Sequence, residues 1–114
     1  MHEVSLVGSL VEQVEEIGRR QGFSQVLEIR LSVGALSGVE PSCVEFCFPE
    51  VTRGSVLEGA RLHLEKVHVR ANCSACKKEV YIEDPAFLVC SFCLSRDLNI
   101  SEGKDFKIVD LEVV

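Results

Sequence analysis

Apolar residues recur at intervals of three and four between Val4 and Gln21, with polar residues between them. The apolar series comprises Val7, Leu10, Val11, Val14 and Ile17. This period predicts an amphipathic first helix. Gly22 is expected to end the helix as its C-cap residue, and Arg19 and Arg20 lie in the last turn, where cations meet the negative end of the helix dipole.

Apolar and polar residues alternate strictly in residues 27–33. This pattern predicts a first strand with one solvent-exposed face. A second strand is expected from about Ala60 to Val69, where a change of phase near Glu65 suggests a β-bulge. A third strand is expected from Phe106 to Val114.

A second helix is expected to begin at Glu40 and Pro41, because proline suits the first helical turn. Its apolar side would carry Cys43, Phe46, Cys47 and Val51. Two cysteines one turn apart could clamp a metal ion. Core packing is the better explanation, since a free cysteine behaves as a small buried hydrophobic residue.

The chain has 114 residues, enough for one ordinary domain or a compact domain with a small appendage. Its net charge of -6 repels phosphate backbones and anionic membranes, which disfavours nucleic acid and membrane surfaces as partners. The first residues lack the basic start and apolar run of a secretory signal, so the cytoplasm is the expected location.

Four cysteines form two C-x-x-C pairs, Cys73 with Cys76 and Cys90 with Cys93, separated by thirteen residues. This spacing is typical of zinc ribbons, in which two tight turns complete a tetrahedron of thiolates. Four thiolates leave no open position, so the predicted zinc is structural. Disulfides or redox-active pairs are the alternative, although a reducing compartment favours metal.

The predicted fold is therefore α+β, with two helices packed on a small three-stranded sheet and an inserted zinc-ribbon-like module. Residues 1–70 and 100–114 are expected to form the α+β domain. Residues 71–99 would form the zinc-binding domain. This insert has few large apolar residues, so metal binding should supply much of its folding free energy.

The opening Met1-His2-Glu3 offers a different kind of site. The terminal amine of Met1, the deprotonated amide of His2 and its imidazole supply three nitrogen donors, a set that suits square-planar nickel(II) or copper(II). The amide or carboxylate of Glu3 could be the fourth donor. His63 and His68 are expected to be exposed or hydrogen-bonded residues instead of ligands.

Several motifs together resemble the HypA/HybF family of nickel metallochaperones of [NiFe]-hydrogenase maturation. These are Met1-His2-Glu3 before the first helix, Leu36-Ser-Gly-Val-Glu-Pro41 before the second helix, Leu57-Glu-Gly-Ala60 before the second strand, and the two C-x-x-C pairs. They follow the family order over essentially the whole chain. In one departure, Lys77 and Leu94 follow the cysteine pairs where some members have histidines.

The resemblance implies a nickel-binding α+β domain, with His2 as nickel ligand and Met1 and Glu3 as neighbours in the motif, joined to the zinc-binding domain. It also implies a protein without catalytic activity, which works with a maturation GTPase of the HypB type. Nickel would pass to the hydrogenase large subunit, and in some organisms to urease. The rival hypotheses are a zinc-ribbon adaptor that bridges proteins or nucleic acid without handling nickel, and a thiol redox enzyme.

Overall fold

A computed structural model describes residues 2–114 of the chain. Its elements are α1 (His2–Gln21), β1 (Val26–Gly34), α2 (Pro41–Val51), β2 (Arg61–Val67), β3 (Val69–Cys73), β4 (Glu79–Ile82), β5 (Leu98–Glu102) and β6 (Phe106–Val113). The strands form two three-stranded sheets, ordered β2-β1-β6 and β4-β3-β5. The predicted α+β class is confirmed. In the described part of the chain, neither helix combines the length and apolar character needed to cross a membrane.

The first helix follows its predicted pattern. It buries Val7, Leu10, Val14 and Gly18, which lie three or four residues apart. Gly22 has a φ of 84°, and its amide donates to the Gly18 carbonyl at 2.8 Å. A left-handed residue that closes the last turn is the usual role of glycine after a helix, so the predicted end is confirmed.

The second helix begins as predicted at Pro41, with Glu40 as its N-cap residue. The Glu40 carboxylate accepts a hydrogen bond from the Ser42 amide at 3.4 Å and from the Ser42 hydroxyl at 3.1 Å. The cap satisfies one of the amides that a helix start leaves without an intrahelical acceptor.

The prediction of which side of α2 faces the core is wrong. The buried residues are Val44 and Phe48, whereas the Phe46 side chain is 89% exposed. The other three residues of the predicted side, including Cys43 and Cys47, are half-buried. Apolar residues cover most of this helix, so its sequence could not specify which side enters the core.

The predicted second strand is two strands. β2 ends at Val67 and β3 begins at Val69, with the exposed His68 between them. The two strands belong to different sheets. The change of phase in the sequence lies just before the passage from one sheet to the other. The bulge near Glu65 stays a prediction.

The chain divides into two compact units. The first unit contains Met1–Leu31, Val39–Glu65 and Ile108–Val114, and the second contains Ser32–Gly38 and Lys66–Lys107. These boundaries differ from those of the two metal-binding domains expected from the sequence. The assignment of one metal to each domain stays a prediction.

The second unit has its own small core, formed by Val69, Cys73, Val80, Ile82 and Cys90. β3 lies in the centre of its sheet and pairs antiparallel with both neighbours, for example Val69 opposite Ile82 and Cys73 opposite Leu98. Two of these five core residues are cysteines, so the core and the cysteine site are built together.

Charged side chains pair across the first sheet. The His63 imidazole lies 2.6 Å from a Glu28 carboxylate oxygen, so His63 has a partner within its own unit. Glu112 also hydrogen-bonds to Glu28, and this bond, followed by the charge of Glu28, raises the pKa of Glu112. The pKa of Glu28 is lowered, chiefly by the His63 hydrogen bond.

Replacing Glu112 by Gln is expected to raise the midpoint of denaturant unfolding at neutral pH. The folded-state pKa of Glu112 is above its unfolded value, so ionising this residue opposes folding at pH values above the glutamate range. The gain should vanish as the pH falls and the carboxyl becomes protonated in both states. The exposed Glu83→Gln variant is the control, and an equal gain in both variants would contradict the account.

Replacing Gly34 by Ala should destabilise the protein by about 1–3 kcal/mol, the usual cost of overpacking. A Cβ at this position would lie 2.4 Å from the Gly103 carbonyl carbon and 2.9 Å from the Lys104 amide nitrogen, so backbone would have to move. Gly8→Ala is the control, because that helical position has no contact within 4 Å and should gain up to about 1 kcal/mol. Equal unfolding midpoints for the Gly34→Ala and Gly8→Ala proteins would contradict the close approach of Gly34 to the backbone of Gly103 and Lys104.

Candidate metal sites

The two C-x-x-C pairs meet in the second unit. One ligand atom from each of Cys73, Cys76, Cys90 and Cys93 lies within 4.8 Å of all the others. The sulfurs of Cys73 and Cys93 are 3.6 Å apart, and those of Cys76 and Cys90 are 3.7 Å apart. A tetrahedron with metal–sulfur bonds of about 2.3 Å has edges of about 3.8 Å. The sulfur positions therefore fit a tetrahedral ion of zinc's size.

Two similar turns present these sulfurs. The amide of Lys77 donates to the carbonyl of Cys73, and the amide of Leu94 donates to the carbonyl of Cys90, both at 2.9 Å. Lys77 and Leu94 have left-handed φ angles of 63° and 64°. Each C-x-x-C pair is thus followed by a residue that closes a tight turn. The left-handed conformation costs a residue other than glycine about 1–2 kcal/mol.

Backbone amides near the sulfurs favour ionised thiols. The amide of Cys76 lowers the pKa of Cys73, despite the opposing effect of burial. At Cys90 burial also opposes ionisation, but the amides of Cys93 and Phe92 contribute to a net fall in pKa to about 7. The Phe92 amide lies 3.4 Å from the Cys90 sulfur. The turns that position the sulfurs therefore also prepare two of them to bind a cation.

The Cys93 sulfur resists ionisation because the other three sulfurs crowd it. The amide of Ser95 favours the thiolate of Cys93, but desolvation and the hydrogen bonds that the protonated Cys93 thiol shares with the other three sulfurs raise its pKa to about 12. Several thiolates so close together repel one another unless a cation lies between them. The site therefore suits a metal ion that is bound by all four sulfurs.

The second candidate site lies at the start of α1. The Glu3 carboxylate is 3.5 Å from Nδ1 of His2, and the His2 side chain is 60% exposed while that of Glu3 is 13% exposed. The same Glu3 carboxylate accepts a hydrogen bond from the Glu40 amide at 3.3 Å. Met1, the third residue of the predicted nickel motif, lies outside the described residues.

Glu3 is held in its ionised form. Hydrogen bonds from its own amide and from the Glu40 amide are the main causes that lower its pKa, followed by contributions from His2. The contact with Glu40 was missed from the sequence, although Glu40 lies in one of the motifs that carry the family resemblance. Only the fold reveals that the residue before α2 reaches the start of α1.

Cys43 and Cys47 do not join the four-cysteine site. Both are free thiols on α2, and they line a cavity together with Glu3 and Val4. Burial is the main cause that raises the pKa of Cys47, and the charges of Glu3 and Cys43 add to it. The cavity thus lies beside a residue of the predicted nickel motif.

Comparison with solved structures supports the fold. The chain matches the solution structure of the nickel metallochaperone HypA from Helicobacter pylori with a TM-score of 0.73 and 23% identity, over 98% of this chain and 97% of that one. A second solution structure of a HypA protein gives the same TM-score and identity and covers 100% of this chain.

Sequence comparison identifies the family to which the chain belongs. The model of the family described as hydrogenase/urease nickel incorporation, metallochaperone, HypA matches residues 1–113. A hydrogenase maturation factor HypA from Methylocella silvestris is 41% identical over 99% of both chains. Another, from Geobacter metallireducens, is 39% identical over the same share. With its sulfur tetrahedron and its His2-Glu3 start, the chain belongs to the HypA family of nickel-incorporating metallochaperones of hydrogenase maturation.

Proposed function

We propose that this chain binds nickel(II) at its N-terminus and delivers it, with a maturation GTPase of the HypB type, to the large subunit of a [NiFe]-hydrogenase. It acts in the cytoplasm as a binding and delivery protein, without catalysis of its own. The observation that carries the proposal is the position of His2 and Glu3 at an accessible helix start, in a chain of the HypA family.

The start of a helix suits a chelate that uses backbone nitrogen. The first four amides of an α-helix have no intrahelical acceptor, so the His2 amide can lose its proton without breaking a helical hydrogen bond. The Met1 amine, this amide and the His2 imidazole would then supply three nitrogen donors. Three such donors suit square-planar nickel(II).

The Glu3 carboxylate supports this site electrostatically. A helix N-terminus carries partial positive charge and disfavours a bound cation. Glu3 lies in the first turn, remains ionised and faces His2, so it offsets that effect. Because His2 is mostly exposed, a partner protein could replace the nitrogen donors one at a time. These properties favour transfer over permanent retention.

We further propose that the four thiolates hold structural zinc. A closed tetrahedron offers no position for substrate, and the ion would relieve the repulsion among the sulfurs. The second unit buries few large side chains, so the ion would contribute much of its folding free energy. On this account zinc stays in place while nickel is exchanged.

Replacing His2 by Ala should abolish stoichiometric nickel binding and leave zinc content unchanged, because the imidazole donor is lost. The measurement is a calorimetric nickel titration of untagged, zinc-loaded protein near neutral pH. His68→Ala removes an exposed histidine elsewhere and should bind nickel as wild type does. Acetylation of the Met1 amine should weaken binding as well, since an acetylated nitrogen is a poor donor. Full nickel affinity in the His2→Ala protein would contradict the proposal.

Replacing Cys90 by Ser should remove the tightly bound zinc and lower the unfolding midpoint of the second unit. The buried Cys90 sulfur is one of four ligands and also part of the small core. Native mass spectrometry measures the zinc content of each protein. The exposed neighbour Ser91 provides the control, and the Ser91→Ala protein should retain one equivalent of zinc. Zinc retained at full occupancy by the Cys90→Ser protein would count against the four-thiolate assignment.

A further inference from the structure

Two thiols outside the four-cysteine site share a cavity. Cys43 and Cys47 lie one helical turn apart on α2, both half-buried and free. With Glu3, Val4 and Phe46 they line a cavity of about 330 Å³ in the first unit. Both thiols are only half-buried and neither is among the buried core residues, so core packing does not fully account for the pair.

The spacing of this thiol pair allows one ion to bridge it. Side chains four residues apart on a helix have Cβ atoms about 5–6 Å apart. Two sulfurs that bind one ion at about 2.3 Å each lie at most about 4.6 Å apart. Rotation about the Cα–Cβ bonds can bring the two sulfurs within this distance.

The number of donors selects the ion. The cavity lining includes two sulfurs and the Glu3 carboxylate. Among the described residues, only the four clustered cysteines bring three or more ligand atoms within 4.8 Å of one another, so the carboxylate does not join the sulfurs as a third ligand. Zinc(II) usually requires four ligands in proteins, and square-planar nickel(II) also requires four. Copper(I) is soft, prefers thiolates and is stable with only two of them. We propose that Cys43 and Cys47 form a two-thiolate site for copper(I).

Binding at this site needs no redox step. Each thiol loses one proton to solvent as its sulfur binds the ion, and copper remains in the +1 state. Val4 and Phe46 provide apolar walls, which suit a soft ion of low charge. The exposed position of Phe46 leaves the cavity open at the surface for entry of the ion.

The thiolate pair and the N-terminal nitrogen donors would prefer different metal ions, because thiolates favour soft ions. The nitrogen donors proposed for nickel would bind copper(II) more tightly than nickel(II), as the usual order of divalent affinities requires. In a reducing compartment copper is present as copper(I), which prefers the thiolate pair. The inference is independent of the nickel proposal, because neither cysteine contributes a donor to the terminal chelate.

An anaerobic titration of zinc-loaded protein with copper(I), supplied from a coloured copper(I) chelator, tests the proposal. Wild type should withdraw one equivalent from the chelator before any zinc is released. The Cys43→Ser/Cys47→Ser double variant should withdraw none in that range. Each single serine variant should bind at least about tenfold more weakly, since one of two donors is lost. His2→Ala should behave as wild type, which separates this outcome from failure of the nickel site.

Several results would overturn the proposal. Equal copper(I) uptake by wild type and the double variant would place the ion at the zinc cysteines. Zinc release from wild type before any other uptake would show that the thiol pair has no useful affinity. An additional zinc equivalent, bound by wild type but not by the double variant, would assign the pair to zinc. Zinc content and far-ultraviolet circular dichroism must match between the proteins, and Glu45→Gln, at an exposed position outside the cavity lining, controls for a change on the same helix.

Discussion

Crowding of four sulfur atoms is the constraint on which the second unit depends. Pairs of these sulfurs lie 3.6 and 3.7 Å apart, a spacing that several thiolates cannot share without a cation. The same cysteines supply part of the unit's small core, so its packing and its metal chemistry are inseparable. The amides of the two turns lower the pKa of Cys73 and Cys90 and thereby favour metal binding.

The N-terminal site follows the opposite principle. Its proposed donors lie at the start of a helix, where the amides have no intrahelical partners and His2 is mostly exposed. The Glu3 carboxylate is held by the hydrogen bond from the Glu40 amide. A closed cage suits an ion that stays in place, whereas an open chelate suits an ion that must be transferred. This difference in donor type and accessibility is how one short chain could handle two metals.

Much of this organisation could be predicted from local patterns. The start of α2 at Pro41, the end of α1 at Gly22 and the grouping of four cysteines each depend on nearby residues, and the structure bears them out. The break at His68 was missed because it depends on which sheet each strand joins. The exposure of Phe46 was missed because an apolar helix does not show which side is buried. The contact between Glu3 and Glu40 joins residues far apart in the sequence, and no local pattern reports it.

X-ray absorption spectroscopy at the nickel and zinc edges of one sample tests the central claim most directly. The sample should be untagged protein with a free Met1 amine, loaded with one equivalent of each metal. The account predicts zinc surrounded by four sulfurs, and nickel surrounded by nitrogen and oxygen atoms with no sulfur neighbour. Sulfur scattering at the nickel edge, or a zinc edge that lacks its four sulfurs, would contradict the separation of the two sites.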